Sequence, residues 1–439
     1  MLSTLSSNNV HEEMDLLKKN IVKNTLTLST GTLIASSIPI LLQPLLRRLF
    51  SPEDFGAFAV YLSITGILVV VSTFRYELAV VLPKEDQESW YVISLSVLIA
   101  FLFNLMIFLV IFFGHSAIIK VLNFPEEYSI WFYFVPLSAL LFSSFNVFNY
   151  WLIRKKAFRS SGLSKIIRRS GEGIIQLITG RLGMLNAGLF IGDLTGHVAN
   201  LLTSITLAVR SGIKLKKINW AVMKHTMKQY FELALYNTIP TLLNTISLAM
   251  PIILVNKFYS KSMTGQLDLA RLILFIPLVL FTEPLAQVFY QFAVEKNSTN
   301  QSIFPQVRKM IFVLTAISCL GIIIIQLWSV ELFSYGFGKE WQVAAGFSSI
   351  LVFSVGLRFI IDPFRFIFAT LQKIWIISAW QVIYFLAILS LLIFRDLEIN
   401  QFLIIYVVIE SACYIILLFL IIQHLTRYEI QLKDRLTKN

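Results

Sequence analysis

Residues 56 to 82 read GAFAVYLSITGILVVVSTFRYELAVVL, and within them only Arg75 and Glu77 are charged. A bilayer core is crossed by roughly 20 apolar residues in helical form, so this stretch predicts one membrane span. Runs of the same kind lie at 25–46, 90–113, 130–152, 166–181, 186–209, 231–256, 266–293, 310–330, 342–370, 374–394 and 401–424. About twelve spans result, and the expected fold class is an all-α polytopic membrane protein. The run at 166–181 is the least apolar, because Arg168, Arg169 and Glu172 interrupt it.

Composition agrees with this reading. Of 439 residues, 56% are hydrophobic and only 14% charged. A soluble domain needs roughly 25% charged residues to cover its surface, so lipid must face most of this exterior. The net charge of +12 does not point to nucleic acid, since the Lys and Arg sit in short segments between apolar runs. Cys319 and Cys413 both fall within apolar runs, where a thiol behaves as a small hydrophobe; neither a disulfide framework nor a metal site is expected. Residues 1–23 are polar and read as a cytoplasmic lead-in rather than a cleavable signal.

Orientation follows from the basic residues. The N-terminal segment, the connections at 154–165, 210–228 and 296–309, and the tail at 425–439 carry most of the 37 Lys and Arg, whereas the alternate connections carry few. The positive-inside rule then places both termini in the cytoplasm. The opposite face has only short connections, which leaves no room there for a folded domain. Membrane-embedded glycan polymerases and ligases usually carry a large loop on that side.

An internal repeat is visible. Asn24-Thr25 precedes Pro39-Ile40-Leu41-Leu42 much as Asn237-Thr238 precedes Pro251-Ile252-Ile253-Leu254, and each is followed by a polar turn ending in Gly56 or Gly265. The offset is close to half the chain, which predicts two pseudo-symmetric six-helix lobes around a central cavity: an N-lobe at 24–209, a basic cytoplasmic linker at 210–230 and a C-lobe at 231–424. Pro39 and Pro44 in span 1 and Pro240 and Pro251 in span 7 occupy corresponding helices and are candidate hinges of a gate.

An ionisable group inside a span costs a few kcal/mol or more unless it faces a cavity or a partner, so each one is a functional candidate. Counted at 1.5 Å per residue along a continuous helix, Arg75 lies roughly 12 Å from the cytoplasmic end of span 2, with Glu283 at a similar depth in span 8. Arg168 and Arg169 enter span 5 from the same side, and span 10 contributes Arg358 and Arg365 around Asp362. Arg271, expected near the outer end of span 8 and paired with Asp268, offers a second station. Guanidinium binds phosphate oxygens bidentately and stays charged in low dielectric, so Arg75, Arg168, Arg169, Arg271, Arg358 and Arg365 form the candidate diphosphate-binding set. Acids also occupy the spans, and Glu77, Glu172, Asp193 with His197, Asp268 and Glu283 are candidates for coupling to a proton or sodium ion. Gly188, Gly192 and Gly196 recur every four residues and predict close helix packing.

No phosphate loop, no H-E-x-x-H pair and no soluble nucleotide domain is present, so no cofactor and no catalytic residue is assigned. A gradient or downstream consumption must drive any transport.

Two further stretches carry a family resemblance. Arg47-Arg48-Leu49-Phe50-Ser51-Pro52-Glu53-Asp54-Phe55-Gly56, followed by Thr73-Phe74-Arg75-Tyr76-Glu77-Leu78-Ala79-Val80-Val81-Leu82-Pro83, resembles the opening of the Wzx-type polysaccharide flippases, and Gly188-Leu189-Phe190-Ile191-Gly192-Asp193 resembles their span 6. These belong to the multidrug/oligosaccharidyl-lipid/polysaccharide exporter superfamily. The resemblance implies a V-shaped cavity that opens alternately to either side of a bacterial cytoplasmic membrane. It also implies an undecaprenyl-diphosphate-linked oligosaccharide as substrate, for O-antigen or capsule synthesis, with other polysaccharide-assembly membrane proteins as partners. A small-molecule exporter of the same superfamily and a membrane-embedded polymerase or ligase are the alternatives.

Overall fold

The computed structural model describes residues 34–213 and 219–438, with the side chains of 283 and 435–438 left aside. The lead-in at 1–23 and the Asn24-Thr25 half of the repeat lie outside the described residues, as do positions 214–218 of the linker.

Among the described residues the chain is helical, without strands. The helices are α1 (34–49), α2 (Pro52–Ser72), α3 (Asp86–Leu122), α4 (Val135–Arg154), α5 (Phe158–Arg181), α6 (Leu185–Arg210), α7 (Trp220–Gln229) and α8 (Phe231–Phe258). They continue with α9 (Lys261–Pro277), α10 (Glu283–Ser298), α11 (Phe304–Phe337), α12 (Gln342–Ile361), α13 (Ile367–Thr370), α14 (Ile374–Leu389) and α15 (Ile399–Lys438). Nine helical segments among them are long and apolar enough to cross a membrane. With α1, α5 and α6, which are shorter or more polar, the set reaches twelve. The protein is a multi-pass membrane protein.

Two lobes are evident from the packing. Helices α2 to α6 pack on one another, as do α8, α9, α11, α12, α14 and α15, and α2 bridges the lobes through α8 and α9. Bulky apolar side chains left exposed, such as Phe113, Phe312 and Ile393, stand where lipid would lie.

Several predicted boundaries move. Span 2 is not one helix: α2 ends at Ser72, Phe74 and Arg75 both adopt left-handed backbone (φ 45° and 60°), and a 3₁₀ turn runs from Tyr76 to Val81. The 12 Å depth assigned to Arg75 assumed an unbroken α-helix and does not carry over. Span 8 is interrupted by a π turn at Leu278–Thr282, immediately after Pro277, which has no N–H to give to the turn before it. Span 10 is interrupted by a 3₁₀ turn at Asp362–Phe364, with Pro363 inside it. The connection expected after residue 113 is instead the last part of α3, and the tail after 424 continues α15 without a break. Helix α8 stays helical through Pro240 and Pro251, and α1 through Pro39 and Pro44.

The glycine stripe of α6 packs against α5. A side-chain carbon on Gly196 would stand 2.9 Å from Glu172 Cβ, one on Gly192 2.9 Å from the Glu172 carbonyl oxygen, and one on Gly188 2.6 Å from Thr179 Oγ1. Only glycine permits so close a crossing.

Candidate functional site

The lobes meet at the end where α2 and α9 begin. Both helices are started by a serine that accepts a backbone N–H three residues on: Asp54 N–H donates to Ser51 Oγ at 3.2 Å, and Met263 N–H to Ser260 Oγ at 3.1 Å. The same offset separates Ser51 from Ser260, Pro52 from Lys261 and Gly56 from Gly265. At the crossing, a Cβ on Gly56 would overlap the carbonyl oxygen of Lys261, and a Cβ on Gly265 would overlap that of Pro52. The contact is therefore self-complementary, as a two-fold relation between the halves requires. The repeat read from the sequence has become a physical interface.

Around that crossing, polar side chains tie one lobe to the other. Arg47 has a side chain 1% exposed, pairs with Asp268, and donates to the Gly265 carbonyl at 3.4 Å. Its guanidinium lies 3.5 Å from the centre of the Phe55 ring and 4.5 Å from that of Trp341, so aromatic faces replace the water it has lost. The Trp341 indole N–H donates to the Arg47 carbonyl at 2.8 Å, and Arg48 donates to the Tyr335 carbonyl at 2.9 Å. Lys261 pairs with Glu127, and the Asn256 amide donates to the Leu122 carbonyl at 2.9 Å. The largest apolar core runs through this end and joins residues of both lobes, Phe55 and Phe58 with Leu267 and Trp341.

The hydropathy reading assigned Arg47 to a connection and gave Asp268 to Arg271, and both readings are corrected here. Asp268 belongs to Arg47. Arg271 instead donates to the Leu248 carbonyl at 2.7 Å and lies 5.3 Å from the Phe275 ring, which Arg358 also approaches at 5.3 Å. Arg271 is thus ten residues into α9, about 15 Å along the helix, and no outer station. Apolar neighbours on both sides (Leu45-Leu46 and Leu49-Phe50) were the one sequence signal that Arg47 is buried.

At the other end of α2, the helix break presents Arg75. Its side chain is 27% exposed and stands 3.4 Å from the buried Glu77 carboxylate, which also accepts from the Thr73 hydroxyl. Arg75 Nε finds no hydrogen-bond partner. The break is braced from below: Ser72 Oγ donates to the Leu68 carbonyl at 2.8 Å and receives the Asn104 amide at 2.9 Å. Such bracing holds two non-glycine residues in left-handed backbone, a conformation that costs roughly 1 to 3 kcal/mol at each and persists where its surroundings impose it.

The remaining charges form one network in each lobe. In the N-lobe, His197 Nε2 lies 3.2 Å from both Asp193 Oδ1 and Arg168 Nη2, Ser138 Oγ donates to Asp193 at 3.3 Å, and Tyr61 meets Ser138 at 2.6 Å. Arg169 pairs with Glu172 at 3.0 Å. Arg168, Asp193 and His197 are therefore brought together, in the interior between α4, α5 and α6. In the C-lobe, Asp362 receives Arg358 at 3.1 Å and stands 3.3 Å from Arg365. Glu410, to which the sequence gave no role, is buried and accepts from the Tyr384 hydroxyl at 3.0 Å. The Glu283 side chain lies outside the described residues.

The model of a family described as "Polysaccharide biosynthesis protein" matches residues 21–290. The chain belongs to that family. No curated protein matches it at a significant level. Among solved structures, an inward-facing multidrug resistance MATE family transporter of the MOP superfamily superposes with a TM-score of 0.71 at 12% identity, covering 90% of this chain and 95% of that one. The lipid II flippase MurJ in an inward closed conformation gives 0.71 at 13% identity, over 93% and 91%. An outward-facing MATE family transporter of the MOP superfamily gives 0.62 at 13%, over 92% and 96%. At such identities the likeness concerns the fold. This member of the polysaccharide biosynthesis family thus has the two-lobed architecture of flippase- and exporter-type transporters.

Proposed function

We propose that the protein flips an undecaprenyl-diphosphate-linked oligosaccharide from the cytoplasmic to the outer leaflet of a bacterial cytoplasmic membrane by alternating access. The observation that carries this reading is the pseudo-two-fold closure of one face by Gly56 and Gly265, in a chain of the polysaccharide biosynthesis family. A two-lobed protein closed by self-complementary helices at one face can exchange that closure for its counterpart at the other. With the basic connections facing the cytoplasm, the Gly56 crossing is the extracytoplasmic gate and Arg75 lies in the cytoplasmic half.

Arg75 is the first phosphate contact in this proposal. A broken helix within the bilayer is where transporters place substrate sites, and a partly exposed guanidinium held by one carboxylate at 3.4 Å keeps N–H groups for a phosphate oxygen. The other arginines of the predicted set are engaged: Arg168 with His197, Arg169 with Glu172, Arg358 and Arg365 with Asp362, and Arg271 with a carbonyl. They serve the diphosphate only in a state where those pairs open. Asp193 and His197 are the pair best placed for proton coupling, because they touch each other away from lipid. The equal similarity to an exporter and to a lipid flippase leaves a small-molecule exporter as the second reading, which the family match disfavours.

The test is Arg75→Ala in a strain that depends on this protein for its surface polysaccharide. The proposal expects lipid-linked units to accumulate unpolymerised at unchanged protein level. Undiminished polymer removes Arg75 from the mechanism, and altered drug tolerance with normal glycan supports the exporter.

A further inference from the structure

A basic pocket lies outside the gate and the inter-lobe region, where the turn between α13 and α14 meets α15. It has a volume of ≈ 300 Å³ and is lined by residues of that turn, of α15 and of α10. Lys373, Arg427 and His424 line it together with the amides Gln372, Gln431 and Asn297, and none of the lining residues is an acid. Neither Lys373 nor Arg427 enters an ion pair among the described residues. The acid closest in sequence, Glu429, is turned elsewhere: it accepts from Ser302 Oγ at 2.8 Å and from the Ile303 and Phe304 N–H groups at 3.0 and 3.2 Å, at the start of α11.

The local backbone is shaped to present donors. Gln372 has φ +56°, and the Lys373 N–H returns to the Phe368 carbonyl at 2.7 Å, which ends α13 and starts α14 at Ile374. Lys373 occupies the N-cap of the 16-residue α14 and does not cap it through its side chain. His424 is fixed by its Nδ1, 2.8 Å from the Leu420 carbonyl. An ammonium and a guanidinium on one pocket, with side-chain amides and without an acid, form a donor set suited to a phosphate.

Its height in the bilayer selects the kind of phosphate. Arg427 follows Ile422 by five residues, about 7.5 Å along α15, while the exposed Phe419 and Ile422 stand on the face of that helix turned away from the pocket. On the other wall, Ile374 and Trp375 (70% exposed) follow Lys373 directly. Exposed apolar side chains thus adjoin the pocket on the α14 side, with a tryptophan of the kind that membrane proteins place at headgroup level. We propose that this pocket binds the phosphate of an anionic phospholipid headgroup, whose acyl chains lie along Ile374 and Trp375. Basic pockets between membrane helices bind headgroups by this chemistry. The site is independent of the transport reading, because it concerns a resident lipid of the membrane.

The experiment uses the full-length chain in nanodiscs of phosphatidylcholine, titrated with phosphatidylglycerol or, separately, with inorganic phosphate, and reads thermal stability and the number of lipids retained in native mass spectrometry. Phosphatidylglycerol should raise the melting temperature and remain bound, whereas inorganic phosphate at the same concentration should do neither. Lys373→Gln with Arg427→Gln should weaken apparent phosphatidylglycerol affinity at least roughly tenfold, the loss of one or two charge-assisted contacts. Arg308→Gln with Lys309→Gln, which removes two exposed charges from α11, should leave it unchanged. An equal effect of both double variants, retention by the first, or an equal shift with inorganic phosphate overturns the proposal. The single variants Lys373→Gln and Arg427→Gln keep the comparison available should the double one fail to fold.

Discussion

Gly56 and Gly265 face each other where α2 and α9 cross, each turned to a backbone carbonyl four residues before the other: Lys261 for Gly56, Pro52 for Gly265. Reciprocity of this kind arises when equivalent helices of two similar halves meet on their symmetry axis. The absence of two Cβ atoms is what lets the backbones touch, and the touching backbones are what close that face. Arg47, Asp268, Phe55 and Trp341 seal the surroundings.

Gly56→Ala or Gly265→Ala should prevent this closure, since the new carbon would overlap backbone that has no rotamer to give way. Spin labels placed on the Gly56 face of the two lobes should then report a longer distance than in the parent, with transport lost at normal expression. An unchanged distance would mean that the helices slide apart without opening the gate.

Asp268→Asn should cost about 3 kcal/mol or more, because it leaves the Arg47 charge buried without its counter-ion. Arg47→Lys should also destabilise, since an ammonium cannot reach Asp268 and the Gly265 carbonyl as a planar fork does, nor lie flat between Phe55 and Trp341. Thermal unfolding in detergent measures both. Full stability of Asp268→Asn would show that the aromatic rings, the Gly265 carbonyl and the Gln43 side chain hold Arg47 without a counter-ion.

Arg75 allows charge and backbone to be separated. Arg75→Gly suits the left-handed conformation but leaves the buried Glu77 carboxylate without its guanidinium, so these two effects on stability oppose each other, whereas transport should be abolished with the charge. Arg75→Lys keeps the charge and should retain part of the transport. Equal transport by the Gly and Lys variants would assign Arg75 to the turn and not to the substrate.

Gly192→Leu should separate α5 from α6, as the added side chain has Gln176 and the Glu172 carbonyl in its way. Overpacking of this kind typically costs 1 to 3 kcal/mol, and the melting temperature should fall accordingly. The contact of Asp193 with His197 on the same helix would be disturbed with it.

The fold was readable because the bilayer imposes it: apolar length gives spans, and a repeated glycine marks the two halves. Gly56 and Gly265 were paired from their positions in the sequence, and they prove to touch. What periodicity cannot show is where a helix stops inside an apolar run. The break at Phe74 and Arg75 contains neither Gly nor Pro, and it depends on Ser72, Asn104, Thr73 and Glu77, which come together only in three dimensions. Partner choice was hidden for the same reason. Asp268 has an arginine three residues away in its own helix, but takes Arg47 from the other lobe. At Pro277 the interruption had a local cause, and the proline announces it.

The most direct measurement of the central claim is translocation in sealed vesicles holding the purified protein and a fluorescent, shortened isoprenyl-diphosphate oligosaccharide, with the outward-facing label quenched over time. The account predicts that quenching extends beyond the outer leaflet fraction with the parent protein, and does not with Gly56→Ala or Arg75→Ala. Quenching that stops at the outer leaflet for the parent, as in protein-free vesicles, would contradict it.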